Sequence, residues 1–138
     1  MHTSAPSTTL PEDRTAGSGP WAAALAVDVL LVLLFAGLGR RTHALDAAGL
    51  LVTAGPFLAG LALGWLVWRV RRAPFAVRPH GIALWVTTVA VGLGLRLAVG
   101  EGTAPSFVLV TFAVLGAFLL GPRVLVAALR AIRSRRPG

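Results

Sequence analysis

The run WAAALAVDVLLVLLFAGLG, residues 21–39, decides how the rest of the chain is read. It carries one charge, Asp28, and otherwise apolar or small side chains. About 20 residues of helix cross a hydrocarbon core of about 30 Å. Within lipid the backbone groups must be paired inside the segment, so a run of this length and composition predicts a membrane-spanning helix.

Three more runs of the same kind follow. Residues 47–68 hold no charge, 81–99 hold only Arg96 near their end, and 102–122 hold none. The composition agrees: 56% of the 138 residues are apolar and 13% charged, against about 25% charged in an ordinary soluble domain. A soluble bundle would need polar helix faces that these runs lack. The expected fold is all-α: an antiparallel bundle of four transmembrane helices over residues 21–122. Its links, at 40–46, 69–80 and 100–101, are short enough to make consecutive helices neighbours.

The flanks differ from the spans. Residues 1–20 are rich in Pro, Gly, Ser and Thr, too polar to offset the entropy of ordering, and are expected to form a disordered tail. They lack the basic start of a signal peptide. Residues 123–138 form a basic segment in which Val124, Leu125, Ala128, Leu129 and Ile132 recur at helical spacing, with Arg123, Arg130 and Arg133 toward another face. Gly121–Pro122 is expected to bend the chain here, so that this amphipathic segment lies along the membrane surface.

Charge sets the orientation. All 13 basic residues are Arg, against 5 acids. The tail, the second link and the C-terminal segment carry Arg14, Arg69, Arg71, Arg72, Arg78, Arg123, Arg130, Arg133, Arg135 and Arg136. The other side carries Arg40, Arg41 and Arg96. Basic flanks stay in the cytoplasm, so both termini are expected there and the protein in the cytoplasmic (plasma) membrane. The same flanks suit anionic inner-leaflet lipids. Nucleic acid is excluded as a partner, since the chain offers neither a soluble basic domain nor a recognition motif.

Asp28 is the foremost candidate for a functional group. It lies seven residues inside the first span, about 10 Å deep at 1.5 Å per residue. A lone carboxylate there is costly and should face the bundle interior. It reads either as a proton or cation site or as a carboxyl group hydrogen-bonded to a neighbouring hydroxyl. Thr87 and Thr88 of the third span come to the same depth and complete this candidate intramembrane polar site. Arg96 is about 14 Å away along the membrane normal, out of reach. Arg40, His43, Asp46, Arg96 and Glu101 form a second candidate, an outer-face polar cluster; it reads as an anion-attracting mouth or as a self-neutralising network. Gly60 and Gly64 make a small-xxx-small motif for close helix approach, and Pro56 should kink the second span.

Other chemistry fails on inventory. With no Cys and only three His, in tail, outer loop and inner loop, no metal or haem site can assemble. No catalytic triad and no phosphate-binding loop is present. No cofactor and no enzymatic activity are expected, and a homo-oligomer is the expected assembly.

Several stretches resemble a known family. Asp28 to Phe35, Gly39-Arg40 and His43, then Pro56-Phe57, Gly60 and Gly64-Trp65, are similar to a small four-span prokaryotic membrane family, domain of unknown function 3054. So are Arg78-Pro79, Gly81, Trp85, Gly92, Arg96, and Gly100-Glu101-Gly102-Thr103 before Ser106-Phe107. The resemblance covers residues 28–123 and implies a four-helix membrane fold, without implying an activity. Two other families of this size do not fit. Small multidrug exporters share a carboxylate in the first span but surround the substrate with aromatics, and this chain has no Tyr. Dual-topology fluoride channels need a pore Asn, and this chain has none. The expected function is a structural or accessory membrane subunit, with a small transporter or channel built on Asp28 as the alternative.

Overall fold

A computed structural model of the chain describes residues 19–39 and 46–137. The expected tail, and with it Arg14, lies almost wholly outside the described residues, as do Arg40, Arg41 and His43. Four long helices make up the described chain: α1 (Pro20–Gly39), α2 (Ala47–Val67), α3 (Ile82–Ala98) and α4 (Pro105–Ser134). Each belongs to a stretch long and apolar enough to cross a membrane, and no strand occurs among the described residues.

The helices form an antiparallel bundle in which α1 packs on α2 and α4, and α3 packs on α2 and α4. Each buries one stripe at helical spacing. On α1 it runs Ala24, Asp28, Val32, Phe35 and Ala36; on α4 it runs Thr111, Leu115, Leu119 and Arg123. The reverse faces are apolar too and exposed, as at Leu30, Leu66 and Leu109. In water this would be untenable, but in lipid the outer face needs no polar groups.

Aromatic side chains tie the stripes together. Phe35 and Phe57 meet edge to face with centroids 5.2 Å apart, and each of three indoles donates to another helix. Trp65 Nε1 reaches Asp28 Oδ2 at 3.0 Å, Trp68 Nε1 reaches Thr87 Oγ1 at 2.8 Å, and Trp85 Nε1 reaches the Phe112 carbonyl at 3.0 Å. Gly60 and Gly64 face α3 of the same chain. A Cβ on Gly60 would stand 2.8 Å from the Thr88 carbonyl oxygen, and one on Gly64 would stand 2.7 Å from Leu84 Cδ1.

Two links are ordered by the backbone. After α2, Arg69 takes a left-handed conformation (φ 48°, ψ 44°) and starts a 3₁₀ turn, Val70–Arg72, in which Val70 is buried. An irregular turn over Val77–Gly81 then leads into α3. Between α3 and α4 the chain reverses at Gly100, whose φ of 80° suits a residue without Cβ. Asp46 caps α2 by accepting from the Gly49 N–H at 3.3 Å.

The fourth helix departs from expectation. It begins at Pro105 rather than residue 102, because Pro is favoured in a first helical turn. It also continues through Pro122 to Ser134, so the fourth span and the first part of the basic segment are one element. The missing Pro122 N–H frees a single carbonyl, that of Phe118, which a membrane helix tolerates. α2 likewise runs on through Pro56.

Candidate functional site: a buried carboxylate–guanidinium pair

The end of the bundle where α1 and α3 begin and α2 and α4 finish carries most of the described Arg residues; it is called here the basic end. About two turns of helix in from that end, α1 presents Asp28 to the interior, only 1% exposed. Its partner is neither Thr87 nor Thr88. Thr88 Oγ1 donates to the Leu84 carbonyl at 2.8 Å within its own helix, and Thr87 is taken by Trp68. Hydroxyls on a helix can always return to the preceding turn, and Thr88 does so.

Arg123 of α4 fills the role instead. Its Nη1 donates to Asp28 Oδ1 at 2.8 Å and its Nη2 to Asp28 Oδ2 at 2.7 Å, a two-pronged fork. Nη1 also meets the Leu119 carbonyl at 2.6 Å, and Nε meets the Pro74 carbonyl at 3.0 Å. With the Trp65 indole on Oδ2, the carboxylate accepts three hydrogen bonds and the guanidinium gives four. Four segments therefore converge on one neutral pair: α1, α2, α4 and the link at residue 74. Gly81 makes room for it, since a Cβ there would lie 3.1 Å from Arg123 Cδ.

Arg123 was expected on a polar outer face with Arg130 and Arg133. It is buried, and the apolar residues around it, Val124, Leu125, Leu129 and Ile132, are the exposed ones. The inversion follows from the solvent: in lipid the apolar face turns outward and the paired charge inward. A signal for this did exist, because Arg123 extends the four-residue series Thr111, Leu115, Leu119 that forms the buried stripe. Trp65 falls on the α2 stripe in the same way.

At the opposite end the predicted polar cluster divides. Arg96 Nη1 pairs with Glu101 Oε2 at 2.7 Å, and the guanidinium lies 4.6 Å over the Phe107 ring. Asp46 serves as the α2 cap, and Arg40 and His43 are outside the described residues. Arg96 and Glu101 line a vestibule of about 790 Å³ together with Phe35, Phe57 and Phe107. Asp28 is not among its walls. Among the described residues no group of His, Asp or Glu has the arrangement of a metal site.

The model of the family described as Protein of unknown function (DUF3054) matches residues 25–126, a stretch that includes both Asp28 and Arg123, and the chain belongs to that family. No curated protein and no solved structure matches it.

Proposed function

We propose that this multi-pass membrane protein is a structural or accessory subunit of the cytoplasmic membrane, and that its intramembrane charges hold the helices together rather than carry a cargo. The observation behind this reading is the sealing of Asp28. A carboxylate that exchanges protons or cations needs a path to water, and this one is 1% exposed, forked by Arg123 and covered by Trp65. A neutral pair in which every side-chain nitrogen and oxygen has a hydrogen-bond partner has a reason to be buried without any transport role.

The vestibule at the opposite end keeps the transporter reading as the alternative, since a mouth of that size with Arg96 at its wall could admit a solute. It stops short of Asp28. In this proposal both termini and the 69–80 link are cytoplasmic, a reading supported by the Arg count. Because Gly60 and Gly64 are engaged within the chain, any homo-oligomer would use other faces. No enzymatic role and no cofactor enter the proposal.

Reconstituted vesicles provide the test. The purified protein should give no proton or monovalent-cation flux above protein-free vesicles. A flux in the parent that disappears in a well-folded Asp28→Asn variant would overturn the structural reading. Orientation is checked separately: reporters fused in the 69–80 link and after Gly138 should be active only as cytoplasmic reporters.

A further inference from the structure

A crevice opens at the basic end between α1 and α2, with a volume of about 540 Å³. Trp21 and Leu25 of α1 form one wall; Ala62, Trp65 and Leu66 of α2 form the other. Its rim is Arg69, Arg71 and Arg72. Leu66 is 77% exposed, so the crevice opens on the lipid-facing side of the bundle.

Three features of the rim are built rather than incidental. The left-handed Arg69 turns the chain sharply at the end of α2. Buried Val70 then pins the 3₁₀ turn into the core, which leaves Arg69, Arg71 and Arg72 exposed around it. Arg71 is held over the mouth with its guanidinium 4.7 Å above the Trp21 ring. Among the described residues, none of these three Arg residues pairs with a carboxylate: the described ion pairs are Arg96–Glu101 and Arg123–Asp28. An apolar slot open on the lipid-facing side and crowned by three cations that have no carboxylate partner among the described residues suits a phospholipid with a net negative headgroup.

We infer that this crevice is a binding site for one anionic phospholipid, its headgroup phosphate on Arg69, Arg71 and Arg72 and one acyl chain between Trp21 and Trp65. The site gives the basic flank a specific occupant in place of diffuse attraction. It also connects to the ion pair, because Trp65 shows its ring to the crevice and its N–H to Asp28. It does not depend on whether Asp28 ever titrates. A flux result therefore leaves the lipid site standing, and loss of the lipid site leaves the structural reading standing.

Tryptophan quenching tests it on the full chain. The protein is placed in phosphatidylcholine nanodiscs doped with brominated-chain phosphatidylglycerol or, at equal mole fraction, brominated-chain phosphatidylcholine. The parent should be quenched at several-fold lower mole fraction by the anionic lipid. Arg72→Gln should reduce this preference part of the way, by less than the roughly fivefold that the full attraction of one Arg near an anionic surface would give. Arg69→Gln/Arg71→Gln/Arg72→Gln should abolish it. Ala62→Leu, which fills the slot and leaves every Arg in place, should abolish it too. Replacing Arg130, Arg133, Arg135 and Arg136 by Gln should leave it unchanged. Equal quenching of the parent by both lipids would overturn the proposal, as would a preference that survives either the triple Gln variant or Ala62→Leu. So would a preference lost only with the C-terminal Arg residues. Should the triple variant fail to melt cooperatively, Arg72→Gln and Ala62→Leu decide the matter.

Discussion

The described residues contain two Arg–carboxylate pairs with the same N···O distance of 2.7 Å and very different consequences. Arg123–Asp28 joins the last helix to the first across 95 residues of chain, with side chains 2% and 1% exposed. Arg96–Glu101 joins neighbours in one turn, with side chains 14% and 41% exposed. In the first, desolvation has been fully incurred and each charge depends on the other. In the second, Glu101 is open enough for water to take the carboxylate's place beside Arg96. Distance alone therefore ranks neither pair; burial and the number of remaining bonds do.

The largest effect should come from breaking the buried pair on one side. Asp28→Asn keeps the shape and leaves the Arg123 charge buried without a counter-charge, at a cost of about 3–5 kcal/mol. Reversible unfolding in mixed detergent should show this as a large drop in midpoint. Removing both charges sharpens the point: Asp28→Leu with Arg123→Met should recover most of the loss, since a buried pair exchanged for apolar groups is often close to neutral. If Asp28→Asn unfolds with the parent, the pair is not a closed unit.

Arg123→Lys comes next. An ammonium retains the charge but cannot reach both Asp28 oxygens and the Pro74 carbonyl at once. Losing a charge-assisted bond should cost about 1.5–3 kcal/mol in the same assay. Trp65→Phe removes a single donor from a carboxylate that keeps its fork, so about 1 kcal/mol is expected, in the range of hydrogen bonds between membrane helices. A Trp65→Phe loss as large as that of Arg123→Lys would mean that the indole packing, rather than its N–H, matters at this position.

The fold was legible because hydrophobic length is a strong signal: each span needed only a count of uncharged residues and a bilayer thickness. Asp28 was legible for the same reason, as the exception within such a count. Its partner was hidden by the same reasoning. Ending the fourth span at Pro122 made Arg123 the first residue of a flank, and flank arginines read as membrane anchors. What decides its fate is a continuation of helix through proline and a side chain long enough to reach inward, neither of which composition displays. Thr87 and Thr88 were at a suitable depth, but depth does not fix azimuth, and their own helix and Trp68 claimed them. The Arg96–Glu101 pair, five residues apart, falls within a proximity that sequence does reveal.

The smallest effect should be at that local pair. The turn that holds it is already closed by the backbone: Glu101 N–H donates to the Arg96 carbonyl at 2.9 Å and Gly100 N–H to the Leu97 carbonyl at 3.1 Å. Arg96 also keeps its place over Phe107 when the carboxylate is removed. Glu101→Gln should therefore lower stability by less than about 1 kcal/mol. What remains of the effect should shrink further in high salt, where partly exposed charges are screened within a few ångströms. The loss from Asp28→Asn should persist, since neither ions nor water reach that pair. Unfolding of parent, Glu101→Gln and Asp28→Asn at low and high salt gives the comparison in one experiment. A Glu101→Gln loss that matches Asp28→Asn and ignores salt would break it, and would make the vestibule end as closed an assembly as the basic end.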